Sequence, residues 1–151
     1  MRVFLDANIL FSAAKSDGAV RALVRLLIEN RHACCVDAYV IAEARRNLEA
    51  KGREALQVLD ALLMRLDVTA GVPPAVTTRS APETSWLPEK DRPVLAAAIL
   101  LGCDALVTAD RTHFGPGYGR TFGGVSIHSP RSLAEHMLQV RPPVRRNDIG
   151  D

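Results

Sequence analysis

Short apolar runs alternate with longer segments of helical apolar spacing along nearly the whole chain, and this alternation limits the fold more than any single motif. RVFL (Arg2–Leu5) reads as a buried strand, followed by a short helix over Ile9–Ala14. A second helix over Ala19–Glu29, with Asp17 as its predicted cap, carries Val20, Leu23, Val24, Leu27 and Ile28 on one stripe. Ala33–Val36 is a second strand. Asp37 caps the helix AYVIAEARRNLEAK, which stops at Gly52, and a further helix is predicted over Glu54–Leu66. A third strand is expected over Arg65–Thr69. The stretch 71–88, with Pro73, Pro74 and Pro82, reads as an irregular connection inside the domain. Asp91 then opens a helix with Pro93 in its first turn, running to Gly102, and Ala105–Thr108 forms a strand that leads to Asp110. Glycine-rich FGPGYG leads to a last strand near Val125–His128, and Ser129-Pro130 begin a final helix, SLAEHML. Such alternation implies an α/β fold, a parallel sheet covered by helices on both faces through right-handed crossovers.

Composition agrees with one domain, over 1–139, followed by a basic tail at 140–151 that carries Arg141, Arg145 and Arg146. The 48% hydrophobic share is rich in Ala, Leu and Val and only 5% of residues are aromatic, as expected for helices packed on a parallel sheet. No apolar run is long enough to span a bilayer, and Asp6 interrupts the N-terminal run too early for a signal peptide, so a cytoplasmic location is expected. Cys34, Cys35 and Cys103 are odd in number and form no CxxC pair, and they read as reduced, buried small hydrophobes. A net charge of +2 from 19 basic and 17 acidic residues neither demands nor excludes a nucleic-acid partner.

In an open parallel sheet the ligand crevice lies beyond the carboxyl ends of the strands, where strand order reverses. Acidic residues gather at those ends. Asp6 follows the first strand, Asp110 follows Ala105–Thr108, and Asp91 starts the helix that feeds that strand. Glu43 lies about two turns into its helix, from where its side chain can lean over the same edge. Each has a simpler reading. Asp6 and Asp91 are good helix caps, Asp110 suits a turn with Thr112, and Glu43 suits a surface pair with Arg46 or Asn47. Taken together, four carboxylates in one cleft repel one another unless a cation neutralises them. Hard oxygen ligands without a His/Cys cluster call for Mg²⁺ or Mn²⁺. Such a centre activates water and stabilises a leaving oxygen, which suits phosphodiester hydrolysis.

VFLDANIL, the VIAEARR helix and KDRPVLAAAILLGCDALVTADRTHF, in that order, resemble the PIN-domain nucleases, and the resemblance runs from about Arg2 to Met137. It implies a three-layer α/β/α sandwich with a mainly parallel central sheet and divalent-metal-dependent cleavage of RNA. Carried over residue by residue, Asp6, Glu43, Asp91 and Asp110 are the catalytic, metal-holding acids, and Asn8 and Thr108 are the polar neighbours that orient ligands or water. Many small single-domain members resemble VapC, the ribonuclease toxin of a toxin–antitoxin pair, which is often a homodimer held inactive by its antitoxin. The proline-containing connection and the Arg-rich tail depart from the commonest toxin pattern.

Arg92, Arg111 and His113 flank these acids and are candidate RNA contacts; Phe114 and Trp86 read as packing residues. A haloacid-dehalogenase-type phosphatase needs a second Asp where this chain has Asn8, and a receiver domain needs a lysine that is not evident. The alternative from a different class is a PIN-like module that binds RNA or protein without cleaving. It would lack one or more of the acids, and all four are present.

Overall fold

The computed structural model describes residues 1–71, 73 and 81–140. Among these, six strands form one sheet: β1 (Arg2–Leu5), β2 (Ala33–Asp37), β3 (Asp67–Thr69), β4 (Ala105–Val107), β5 (Thr121–Phe122) and β6 (Val125–His128). Their order is β3-β2-β1-β4-β6-β5, parallel throughout except for β5, which pairs antiparallel with β6 at one edge. The chain winds outward from β1 to β3, then returns to place β4 on the other side of β1. The reversal point of the sheet is therefore the β1–β4 junction.

Flanking the sheet are α1 (Ala7–Lys15), α2 (Ala19–Glu29), α3 (Ala38–Lys51), α4 (Leu56–Leu63), α5 (Ala81–Thr84), α6 (Arg92–Leu100) and α7 (Pro130–Val140). α1 packs against α2, α3 and α4. Val3, Phe4 and Leu5 of the central strand are all fully buried, since helices cover both of its faces. In α6 Val94, Leu95, Ala96, Ala97 and Ala98 are all buried, which explains the run of alanines: small side chains let this helix lie close against its surroundings.

Several boundaries differ from the sequence expectation for identifiable reasons. α1 starts at Ala7 because Asp6 caps it, its carboxylate accepting from the Ala7 amide at 2.7 Å. Gly18, not Asp17, occupies the cap position of α2, and Asp17 instead faces Arg21 at 3.9 Å. The segment expected as one helix over Glu54–Leu66 is a 3-10 turn (Arg53–Ala55) followed by α4, and Arg65 and Leu66 leave the helix by bonding to the carbonyls of Leu62 and Leu63. α5 lies inside the stretch read as irregular, and two-residue β5 was not foreseen. The three cysteines are buried and free. The tail at 141–151 lies outside the described residues, as do 72 and 74–80 of the proline-containing connection.

Candidate active site

Asp6 leaves β1 at the reversal point with its side chain almost wholly buried. Its Oδ1 serves as the cap of α1, and its Oδ2 accepts from the Thr108 hydroxyl at 2.8 Å and from Asn8 Nδ2 at 3.2 Å. Asn8 spans the junction: its Nδ2 also lies 3.2 Å from Thr108 Oγ1, and its Oδ1 accepts from the Ala109 amide at 2.9 Å. Thr108 Oγ1 in turn accepts from the Asp110 amide at 3.2 Å. Asp6 thus sits in a fixed polar frame that joins the ends of β1 and β4. Burial raises its carboxyl from 3.8 to about 6; the Thr108 and Ala7 donors oppose the rise, and negative charge on Glu43 and Asp91 adds to it.

Asp91 ends a 3-10 turn (Glu89–Asp91) directly before α6. It stands at the cap position, yet its side chain makes no capping hydrogen bond. The carboxylate instead meets His113, whose Nδ1 lies 2.9 Å from Asp91 Oδ2 and 3.0 Å from Asp110 Oδ2. Asp110 holds this arrangement by its other oxygen, since Oδ1 accepts from the His113 amide at 3.1 Å. The ligand-type atoms of Asp91, Asp110 and His113 all lie within 4.8 Å of one another. Burial raises the Asp91 carboxyl, opposed by His113 and Lys90 and reinforced by Asp110.

Glu43 projects from α3, whose inner stripe is Val40, Ala44 and Leu48. It forms no ion pair with Arg46 or with any other described residue, and its charge reaches Asp6. One turn earlier on α3, the Tyr39 hydroxyl donates to the Lys90 carbonyl at 2.6 Å, tying α3 to the turn that carries Asp91. Burial raises the Tyr39 phenol, and Glu43, Asp91 and Asp6 raise it further, so three of the acids share one field at this ring.

The basic neighbours divide. Arg92 Nε donates to the Leu87 carbonyl at 2.9 Å, so this arginine straps the loop before α6 rather than standing free for a ligand. Arg111 is exposed and forms no ion pair among the described residues. His113, read from sequence as a candidate RNA contact, is turned onto the two carboxylates. The signal for this was local: Asp110 and His113 are three residues apart in one turn, which brings a side chain back onto the acid that opened it. Phe114 is fully buried, and Trp86 stacks on Phe122 with ring centroids 4.8 Å apart.

This site fits a divalent cation on its own evidence. Asp91 Oδ2 and His113 Nδ1 are both buried and neither has an aligned hydrogen bond, despite their short approach. A carboxylate oxygen and a ring nitrogen that approach this closely without an aligned hydrogen bond suit either an imidazolium–carboxylate pair or a shared cation. The donor set is mainly carboxylate oxygen, the ligand class of Mg²⁺ and Mn²⁺.

No curated protein matches the chain. Solved structures share its fold. A chain of the VapBC2 complex of Rickettsia felis bound to a promoter DNA fragment aligns with a TM-score of 0.64 at 19% identity, covering 85% of this chain and 98% of that one. PAE2754 of Pyrobaculum aerophilum aligns with a TM-score of 0.65 at 20% identity, over 92% of this chain and 96% of that one. VapC20 of Mycobacterium tuberculosis, described as a sarcin-ricin loop cleaving toxin, aligns with a TM-score of 0.58 at 12% identity, over 80% of this chain and 98% of that one. The family model of the PIN domain matches residues 2–112, which takes in β1, α3 with Glu43, Asp91 and the β4 end with Asp110. The chain belongs to the PIN-domain family.

Proposed function

We propose that this protein is a divalent-metal-dependent endoribonuclease and the toxin of a toxin–antitoxin pair. The observation that carries the reading is the convergence of ligand-type atoms of Asp91, Asp110 and His113 within 4.8 Å in a PIN-domain fold. Asp6, Glu43, Asp91 and Asp110 would hold Mg²⁺ or Mn²⁺, which when bound supplies charge neutralisation and Lewis acidity for hydrolysis of an RNA phosphodiester. Asn8 and Thr108 keep the Asp6 carboxylate in one orientation through the bonds they make to it. Arg111, exposed beside Asp110, would meet an RNA phosphate.

Support for a protein antitoxin comes from the VapBC and FitAB assemblies whose chains share this fold. A cleft of about 220 Å³ between α1, α2 and α4 offers a surface for such a partner, lined by Ala13, Ile28, Val58 and Leu62 together with Arg21, Arg25 and Arg65. We further propose a homodimer acting in the cytoplasm. No described helix is long and apolar enough to cross a membrane.

The deciding experiment compares wild type with Asp6→Asn and Asp91→Asn in RNA cleavage with added Mg²⁺ or Mn²⁺, with circular dichroism as the check on folding. Each variant should lose at least about 100-fold in rate while keeping the wild-type spectrum. Wild-type rates in either variant would show that the site is misassigned. For the toxin role, inducing wild type in a bacterial host should arrest growth and Asp91→Asn should not.

A further inference from the structure

The four acids leave out the ring whose Nδ1 stands between two of them. His113 Nδ1 approaches Asp91 Oδ2 and Asp110 Oδ2 at 2.9 and 3.0 Å, and the three ligand-type atoms fit within a 4.8 Å span. Its backbone is pinned there by the amide bond to Asp110 Oδ1, and buried Phe114 follows it directly. The ring is therefore delivered by the fold, with Nδ1 aimed at the carboxylates and no other described group hydrogen-bonding that nitrogen.

We propose that His113 is a direct metal ligand through Nδ1, so that the centre is a mixed carboxylate–imidazole site that takes Mn²⁺ in preference to Mg²⁺. This rests on the metal-centre reading above. The chemistry follows from ligand type: Mg²⁺ is a hard ion that keeps oxygen and water ligands, whereas imidazole binds transition ions well and Mn²⁺ accepts both classes. A nitrogen in the first coordination sphere costs Mg²⁺ an oxygen and costs Mn²⁺ little. Three donors at one point of the sheet leave the remaining positions to water, Asp6, Glu43 or a phosphate oxygen.

The test is pulsed EPR of the full chain loaded with Mn²⁺ alone, with calorimetric titrations of Mn²⁺ and Mg²⁺. Wild type should show imidazole ¹⁴N coupling to Mn²⁺ that is absent in His113→Gln. That substitution should weaken Mn²⁺ binding by about tenfold or more and change Mg²⁺ binding by less than about threefold. If His113→Gln does not fold, the same spectrum is taken on a chain in which His32, His128 and His136 are replaced together, so that His113 is its one histidine. Mn²⁺ that binds, depends on Asp91 and shows no nitrogen coupling overturns the ligand assignment and leaves the acidic centre standing. No Mn²⁺ binding at all overturns both.

Discussion

Thr108 donates its hydroxyl proton to Asp6 Oδ2 at 2.8 Å across 102 residues of sequence, and Thr108 Oγ1 itself accepts from the Asp110 amide at 3.2 Å. One hydroxyl thus joins two of the acids. Replacing it by a methyl group in Thr108→Val strips a buried carboxylate of a donor and an amide of an acceptor. The variant should lose about 1–2 kcal/mol in chemical denaturation and bind Mn²⁺ more weakly, and Thr108→Ser should recover both. Unchanged denaturation and metal titration curves would show that the hydroxyl is dispensable.

The pH dependence follows from Asp6. Its carboxyl is raised from 3.8 to about 6 by burial, so the folded state holds this proton more tightly than the unfolded chain does. For an acid shifted in that direction, metal-free stability is highest below pH 4 as far as this group is concerned. It falls as pH rises from about 4 to 6, by about 3 kcal/mol at most, and is flat above. Urea melts of metal-free wild type and Asp6→Ala between pH 3.5 and 7 should differ by this slope in that window. Added Mn²⁺ should restore wild-type stability at neutral pH, because the cation favours the ionised form, and should stabilise Asp6→Ala less.

Tyr39 is 39% exposed, yet its hydroxyl reaches the Lys90 carbonyl at 2.6 Å and so steadies the turn bearing Asp91. Tyr39→Phe keeps the ring and removes that link. Mn²⁺ affinity should fall about three- to tenfold while the melting temperature shifts little, which isothermal titration and thermal melts together would read. A large loss of stability with intact metal affinity would place the role of Tyr39 in folding instead.

Gly117 packs so close to Trp86 that an added Cβ would stand 2.5 Å from Trp86 Cη2 and 3.1 Å from Ile127 Cδ1. The indole cannot simply swing away, since it stacks on Phe122 and meets Phe114 edge-on at 6.2 Å. Gly117→Ala should cost about 1–3 kcal/mol and red-shift the emission of Trp86, the one tryptophan of the chain. An unshifted spectrum would mean that the aromatic stack accommodates the methyl group.

The sheet was legible because its strands are short, apolar and separated by well-punctuated helices. Asp37 and Gly52 bound α3 as read, and Pro93 marks the first turn of α6. What escaped depends on contacts distant in sequence. Asp17 and Gly18 are both acceptable caps, and the structure places Gly18 at the cap with Asp17 3.9 Å from Arg21. β5 has two residues and exists through its pairing with β6, so no periodicity announces it. Among the candidate residues, Asp91 and Asp110 stand out in sequence by their places at strand and helix ends, and the structure brings their side chains together. His113 and Arg92 were assigned outward roles because a sequence shows that a basic side chain lies near an acid and not which way it turns. The structure turns one onto the carboxylates and the other onto a backbone carbonyl.

The central position of β1 has a consequence for synthesis. Asp6 is translated well before its partners: the Thr108 hydroxyl that fixes it and the Asp110–His113 turn beside it follow more than a hundred residues later. β4 must insert next to β1 before the carboxylates can meet, so a nascent chain that stops short of Phe114 carries its acids apart. In a chain built this way the carboxylates come together only after β4 has paired with β1.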